Sequence, residues 1–228
     1  MEKMKYKISS RATILLGRES VSKVESALIE LIKNTYDADA SLCYLLFDSE
    51  NDSIYLIDNG VGMTRKIIED NWMMIGTDNK KKEYISLKKR IKSGEKGIGR
   101  FALDRLGGVC ELFTKSNDEQ KTIRWKTNWN NFEEEGKILE DIEAEFEYID
   151  SGLSEKLPSC VVEEIKHLEK NIDTKIDFLT GTIIKISDLR DEWSLSQIDK
   201  MKKSMEFLIP PKEQDEFYIC IQKGMDYE

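Results

Sequence analysis

The stretch Glu30-Leu31-Ile32-Lys33-Asn34-Thr35-Tyr36-Asp37-Ala38 decides the fold. It belongs to a segment, from about Glu19 to Ala40, whose apolar residues recur at helical spacing: Val21, Val24, Leu28 and Leu31. This pattern predicts one helix with an apolar side that faces a core. Glu30, Asn34 and Asp37 are spaced i, i+4 and i+7, so they share one narrow stripe roughly opposite the apolar side.

The polar stripe formed by Glu30, Asn34 and Asp37 has two interpretations. Most stripes of this kind are only the solvated face of a helix. The functional alternative is that Glu30 polarises a water molecule while Asn34 offers an oxygen to Mg²⁺. Both roles need a phosphate group, so the stripe predicts a site only if the chain also binds phosphate elsewhere.

A second motif, Asp58-Asn59-Gly60-Val61-Gly62, directly follows the apolar strand 54–57. Asn-Gly alone is typical of a hairpin turn, but Met63-Thr64 leads into a helical pattern instead of a returning strand. Glycine lets the backbone approach a flat ligand closely, and Asp58 can accept a hydrogen bond from an exocyclic amine. The motif therefore predicts an adenine pocket that includes Asp58, Gly60, Gly62 and Met63.

A third motif, Gly94-Glu95-Lys96-Gly97-Ile98-Gly99-Arg100-Phe101, ends a basic segment and opens a helix. Backbone amides and a helix N-terminus favour phosphate oxygens, although glycine-rich loops alone are weak signals. The motif is neither a Walker A loop nor a Rossmann fingerprint. We expect phosphate-binding residues here: Gly94, Lys96, Gly97, Ile98, Gly99, Arg100 and Phe101.

Basic residues dominate the segment 76–100, so its net charge is positive although the net charge of the whole chain is negative. We expect Gly76–Ser93 to be a lid loop that faces anions or water, since long connections inside compact domains are commonly functional. A plain solvated loop is the alternative. A fourth motif, Thr180-Gly181-Thr182, begins a strand and could place the Thr182 hydroxyl beside the adenine.

The remaining patterns predict an α+β fold with a largely antiparallel sheet. A hairpin is expected over Ser41–Phe47 and Ser53–Ile57, and Thr64 should cap a helix that reaches about Ile75. The other expected elements are a helix at Ile98–Leu106, strands near Val109–Lys115, Lys121–Asn128, Ile138–Ile149 and Gly181–Ile186, a helix from Ser194 to about Leu208, and a strand at Phe217–Ile221.

Composition excludes several classes of protein. The chain has 228 residues with a formal net charge of −9, which leaves nucleic-acid binding only to a local basic patch. Its four cysteines are dispersed and its only histidine is His167, so neither a zinc module nor HExxH chemistry is suggested. No apolar run reaches the length of a membrane helix, and the N-terminus lacks a signal sequence, which predicts a soluble cytoplasmic protein without a membrane partner.

The four motifs in this order resemble the GHKL superfamily, which includes gyrase B, the heat-shock-90 chaperones, histidine kinases and MutL. The resemblance covers residues 20–187 and implies the Bergerat fold, a two-layer α/β sandwich that binds Mg-ATP under a mobile lid. In that family, positions matching Glu30, Asn34, Asp58 and Thr182 serve as general base, magnesium ligand, adenine anchor and adenine-side hydrogen-bonding group.

Within the superfamily, Glu30 favours hydrolysis over phosphotransfer, because histidine-kinase domains lack the water-activating glutamate. The loop Gly94–Phe101 looks closer to MORC-like and stand-alone bacterial Hsp90-like ATPases, some of which are associated with genome defence. An ATP-sensing scaffold without significant turnover and a histidine-kinase-like ATP-binding domain remain alternatives.

The resemblance also implies partners and domains. Gyrase B and MutL add a lysine from a second domain, but only about forty residues follow Ile186 here. Either the catalytic site is incomplete in this chain, or a lid lysine such as Lys80 or Lys96 substitutes. We expect an N-terminal arm at 1–19, the ATP-binding domain at 20–187, and at 188–228 the start of a transducer-like domain with a missing effector region or partner protein. ATP or ADP is the expected ligand. Residues 1–17 could form an ATP-dependent homodimer through five apolar side chains: Tyr6, Ile8, Ile14, Leu15 and Leu16. The alternative, which such side chains more often adopt, is that they pack onto their own domain.

Overall fold

A seven-stranded sheet forms the centre of the computed structural model, which describes residues 3–19, 23–75, 85–92, 102–205 and 216–224. Its strands are β1 (Leu42–Asp48), β2 (Ser53–Asp58), β3 (Gly107–Lys115), β4 (Thr122–Asn128), β5 (Glu145–Ile149), β6 (Gly181–Leu189) and β7 (Tyr218–Lys223). The strand order is β5-β4-β3-β6-β2-β1-β7. Every neighbouring pair is antiparallel except β1 and β7, which are parallel. The predicted α+β class and mostly antiparallel sheet are confirmed.

Among the described residues, four helices pack on this sheet: α1 (Val24–Asp37), α2 (Ala102–Leu106), α3 (Ser159–Ile172) and α4 (Leu195–Met205). Shorter helical turns cover Ala12–Ile14, Leu15–Glu19, Arg65–Ile67, Ile68–Trp72, Trp129–Glu133, Leu139–Asp141 and Leu153–Lys156. In the described part of the chain, no helix is both long and apolar enough to cross a membrane.

The larger core lies between one face of the sheet and helices α1, α2 and α4. Leu28 and Leu31 of α1 are almost completely buried there, together with Leu45 of β1, Leu112 of β3 and Ile186 of β6. Burying the apolar side of α1 against the central strands fixes which way its polar stripe points. The core therefore determines the orientation of the predicted functional residues.

The opposite face of the sheet is covered in part by α3, which the sequence analysis did not predict. Val161 and Ile165 of α3 pack with Tyr44, Ile57 and Ile183 in a second core. The expected two-layer sandwich therefore gains a helix on its other face. The signal was present in the sequence, since Val161, Ile165, Leu168 and Ile172 recur at helical spacing after Pro158.

Helix α1 is shorter than the predicted span from Glu19 to Ala40. It ends at Asp37, and Asp39 adopts a left-handed backbone with φ of 61°. This conformation stops a helix, and aspartate tolerates it better than most residues. Leu15–Glu19 forms a separate wide helical turn, while residues 20–22 lie outside the described residues.

The acidic segment Ile138–Ile149, which was predicted as one strand, also differs from its prediction. Only Glu145–Ile149 is a strand, because Leu139–Asp141 forms a tight helical turn in the first half of the predicted span. Thr64 caps its helical turn as expected, with its hydroxyl oxygen accepting from the Ile67 N–H at 3.2 Å.

The C-terminal segment joins the same sheet. Strand β7 pairs with β1, and Ile198 and Met201 of α4 are buried in the larger core. The assignment of 188–228 to a following domain stays a prediction, and the described part of this segment packs on the ATP-binding domain predicted at 20–187.

Candidate functional site

Asp58, the predicted adenine anchor, is the last residue of β2 and is 6% exposed. Its Oδ1 accepts a hydrogen bond from the Gly60 N–H at 2.8 Å. Burial raises the pKa of Asp58 to about 7, although the backbone N–H groups of Gly60 and Thr182 act to lower it. A carboxyl group with a perturbed pKa at a strand end is a candidate functional group.

The glycines of the motif are required by close backbone packing. A β-carbon on Gly60 would lie 2.5 Å from the Ala38 carbonyl oxygen. Gly62 has a φ of 66°, and a β-carbon there would lie 1.9 Å from the Lys115 carbonyl oxygen. Any larger residue would therefore push the motif away from α1 or from β3, whether or not a ligand is bound.

Thr182 lies opposite Asp58 in the register of β2 and β6. Its hydroxyl is 3.1 Å from the Thr114 Oγ1 atom. Thr114 also accepts from the Met63 N–H at 2.9 Å and can donate to the Gly181 carbonyl at 3.0 Å. If the single Thr114 hydrogen goes to Gly181, the Thr182 hydroxyl donates to Thr114; otherwise Thr114 is the donor.

The Thr114 hydroxyl group thus joins Met63, Gly181 and Thr182, three residues of the predicted motifs. Thr114 itself was not among the predicted site residues. Thr180 adds a further link, because its hydroxyl donates to the Gly60 carbonyl at 2.7 Å. No local pattern marks Thr114, which is one of several threonines in the strands, so only the sheet register could have identified it.

The C-terminal end of α1 lies directly against the motif. The Val61 N–H donates to the Ala38 carbonyl at 2.9 Å. Glu30 and Asn34 are half-buried and Asp37 is buried on this helix. At about 1.5 Å per residue, Asn34 lies roughly 6 Å and Glu30 roughly 12 Å along the helix axis from Ala38. The three polar residues therefore lie in a row that extends along α1 away from Ala38.

The residues present fit a magnesium ion in donor type. Mg²⁺ is commonly held by one or two protein oxygens together with phosphate oxygens and water, and Asn34 offers an amide oxygen on the half-exposed stripe. Within the described ranges, no group of three His, Cys, Asp or Glu side chains could hold a metal ion.

Residues 85–92, the described part of the predicted lid Gly76–Ser93, are docked at the end of α1. The Asp39 carboxylate accepts from the Ser86 hydroxyl at 2.5 Å and from the Lys88 N–H at 3.2 Å. Arg90 is 2% exposed. The expectation that this basic segment faces anions or water is therefore wrong for Arg90, which is buried against carbonyl groups and aromatic rings.

The other predicted phosphate-site residues lie outside the described residues: Lys80, Gly94, Lys96, Gly97, Ile98, Gly99, Arg100 and Phe101. The helix that follows them, α2, is fixed by Asp104. This buried carboxylate binds Arg18 of the N-terminal arm at 2.8 Å and Arg190 after β6 at 2.8 Å. The predicted phosphate loop thus leads into a firmly held helix.

A cavity of about 110 Å³ lies within the larger core, near β4. Its walls are mainly apolar, and four of the lining residues are aromatic: Trp72, Trp125, Trp129 and Phe132. None of the predicted site residues lines this cavity. It is therefore distinct from the group formed by Asp58, Gly60 and Thr182.

Comparison with known proteins agrees with this geometry. Residues 21–157, more than half of the chain, match a family model described as histidine kinase-, DNA gyrase B-, and HSP90-like ATPase. A chaperone protein HtpG from Oceanobacillus iheyensis is 28% identical over 149 residues, which cover 56% of this chain and 24% of that protein. The chain thus matches about a quarter of the length of this relative. It belongs to the histidine kinase-, DNA gyrase B- and HSP90-like family of ATPase domains, the GHKL superfamily.

Proposed function

We propose that this domain binds Mg-ATP beside α1, the Asp58–Gly62 motif and the start of β6, and hydrolyses it. The buried Asp58 carboxyl carries the proposal. Placing a carboxylate in an apolar environment lowers stability, so such groups are usually kept for a role in binding or catalysis. In its ionised form Asp58 can accept a hydrogen bond from the adenine amine, and Thr182 lies opposite it in the register of β2 and β6.

The α1 stripe would supply the chemistry. Glu30 is proposed as the general base that accepts a proton from the attacking water, and Asn34 as the protein ligand of Mg²⁺. When bound, the ion would neutralise charge on the phosphate oxygens. Asp37 is proposed as a further binding-site residue at the buried end of the same stripe. The amides of 94–99, with Lys80 or Lys96, are proposed for the phosphates on the basis of their sequence alone.

Isothermal titration calorimetry with ATP, ADP and GTP tests the binding part of this proposal. We expect Mg-dependent binding of ATP and ADP and much weaker binding of GTP, because guanine carries an oxygen where adenine carries the amine that Asp58 would accept from. No heat of binding at millimolar adenine nucleotide would contradict the whole proposal. Binding without phosphate release would instead support the ATP-sensing scaffold, and transfer of the phosphate to a histidine would support a histidine-kinase-like domain.

We further propose that hydrolysis times a conformational cycle in which a lid loop and the N-terminal arm rearrange and two copies dimerise. The presence of Glu30 supports hydrolysis, and the exposed apolar side chains of the arm support dimerisation. A role in DNA-related or genome-defence processes is supported only by the form of the Gly94–Phe101 loop. A following effector region or partner protein, a cytoplasmic location and a basic-patch contact with nucleic acid stay proposals of the same kind.

A further inference from the structure

The corner between α1 and β1, residues 36–42, is contacted by three other segments. The first of these segments is the Asp58–Gly62 motif. The Val61 N–H donates to the Ala38 carbonyl at 2.9 Å. The Asn59 carboxamide oxygen accepts from the backbone N–H groups of Ser41 at 3.0 Å and of Leu42 at 2.9 Å. The Asp58–Gly62 motif is therefore hydrogen-bonded directly to this corner.

The basic segment 85–92 is the second of these segments. A bridge between Ile85 and Ile91 closes it into a turn. Asp39 holds the turn through the Ser86 hydroxyl and the Lys88 N–H. The Arg90 guanidinium donates from Nη1 to the Tyr36 carbonyl at 3.2 Å and to the Ala40 carbonyl at 2.7 Å.

The approach to strand β7 is the third segment. The Nη2 atom of Arg90 donates to the Glu216 carbonyl at 3.3 Å. The guanidinium carbon lies 4.7 Å from the centre of the Tyr36 ring and 5.5 Å from that of Phe217. The Tyr218 N–H donates to the Ser41 carbonyl at 2.8 Å. One side chain thus bridges the end of α1 and the start of β7.

This arrangement is costly for stability. Burial lowers the pKa of Arg90, while the more distant charges of Asp39 and Glu216 act in the opposite direction. Its hydrogen-bond partners in the described part of the chain are carbonyl oxygens, and its buried Nε has no partner there. Taking a charge out of water costs free energy unless the charge is paired and hydrogen-bonded. A planar guanidinium, however, can bond several carbonyls while it stacks on aromatic rings.

We propose that Arg90 is a positioning residue that couples the nucleotide site to strand β7 through the corner 36–42. The proposal rests on nucleotide binding at Asp58. Nucleotide that fixes the Asp58–Gly62 motif and the end of α1 also fixes the carbonyls that Arg90 holds, and through Arg90 the start of β7. Because coupling between sites is reciprocal, docking of β7 raises the affinity for nucleotide by the same factor.

Hydrogen exchange of the full chain, with and without a nonhydrolysable ATP analogue and Mg²⁺, tests this coupling. In the wild type, the analogue should slow exchange of the β7 amides at 218–223. Arg90→Met should lose this response even at analogue concentrations that saturate it, and its affinity should fall by ~5-fold or more, the usual range of coupling between sites. A merely structural role would lower the melting temperature but leave the nucleotide-dependent difference at β7 intact.

Arg124→Met is the matched control. Arg124 is a half-buried arginine on β4, with ion pairs to Glu111 on β3 and Glu147 on β5. This variant should keep both the affinity and the β7 response. If Arg90→Met does not fold by circular dichroism, Arg90→Lys keeps the charge without the planar fork and should show a reduced response.

The outcomes separate the two levels of the proposal. A wild type that binds the analogue but shows no slowing at β7 would overturn the coupling alone. A full response in a folded Arg90 variant would also overturn it. A wild type that binds no adenine nucleotide would overturn the proposed function and the coupling with it.

Discussion

Among single residues, Asp58 shows the clearest conflict between stability and binding. Its folded pKa of about 7 lies above the ordinary value of 3.8. Between these pH values the folded state binds the proton more tightly than the unfolded chain, so the free energy of unfolding falls as pH rises through this window. The stability associated with the protonated carboxyl is complete below about pH 4 and lost above about pH 7.

Asp58→Asn removes the ionisable group but keeps an oxygen for the Gly60 N–H. We expect it to raise the free energy of unfolding at pH 8 by up to about 4 kcal/mol, at ~1.36 kcal/mol per pKa unit, and to change it little at pH 4. At pH 8 its affinity for ATP should fall by ~10- to 100-fold, the loss typical of a hydrogen bond to a charged group. Urea unfolding at both pH values and calorimetry measure the two effects.

The two effects of Asp58→Asn have separate contradicting outcomes. A folded variant that binds ATP as tightly as the wild type would show that Asp58 is not the adenine anchor. Equal stability differences at pH 4 and pH 8 would show that its carboxyl is not the group with the raised pKa.

Glu30 and Asn34 should differ in which step they affect. Glu30→Ala should bind Mg-ATP nearly normally and lose ~10²- to 10⁴-fold of the hydrolysis rate, because a general base acts on the transition state. Asn34→Ala should lose the Mg²⁺-dependent part of binding. Calorimetry with and without Mg²⁺ and a phosphate-release assay distinguish the two variants. Unchanged phosphate release in Glu30→Ala would reject it as the base and favour the scaffold function.

The sequence allowed Asp58, Gly60, Gly62 and Thr182 to be predicted because each belongs to a short motif with its own chemistry. Asp39, Arg90 and Thr114 could not be predicted in the same way. Their roles depend on which segments meet in the folded chain, and no local spacing encodes that. Arg90 lies in a run of cations that is typical of a solvated surface, yet its guanidinium is buried.

Among whole elements, the strands of the sheet were easier to predict than the helices that cover it. The alternating patterns of β3 and β4 and the buried run of β1 identify strands locally. No element was predicted over 150–180, although the apolar residues of α3 recur at regular helical spacing. The shortened strand β5 has another cause, since a helical turn at Leu139–Asp141 interrupts an acidic segment whose composition alone favours neither structure.

The basic segment 76–101 should respond to trypsin in two different ways. Residues 85–92 are held by Arg90 and Asp39, so cleavage after Arg90 should be slow with or without nucleotide. If the flanking lysines contact phosphates, cleavage after Lys80 or Lys96 should slow when a nonhydrolysable ATP analogue binds. Mass spectrometry of a digestion time course measures both. Equal cleavage at Lys80 and Lys96 in the two conditions would favour a plain solvated loop on both sides of the docked turn.

At the scale of the whole molecule, the N-terminal arm is partly docked and partly exposed. Ser9 forms a bridge with Ile138, the Ser10 hydroxyl donates to the Phe132 carbonyl at 2.9 Å, and Arg18 binds Asp104. By contrast, Met4 is 90% exposed and Tyr6 is 103% exposed. The docked part supports packing on the chain's own domain, and the exposed apolar part remains available to a second copy.

We expect removal of residues 1–8 to abolish an ATP-dependent dimer while the docked part of the arm keeps the monomer folded. Glu30→Ala protein should retain ATP and accumulate the dimer, because a ligand shifts an equilibrium by its differential affinity for the two states. Light scattering with and without Mg-ATP measures the mass. Leu179→Ser, which changes an apolar side chain that is 75% exposed outside the arm, should leave the dimer unchanged. A monomer under all conditions would reject dimerisation through the arm for this chain, and a dimer that survives removal of residues 1–8 would assign the contact to another surface.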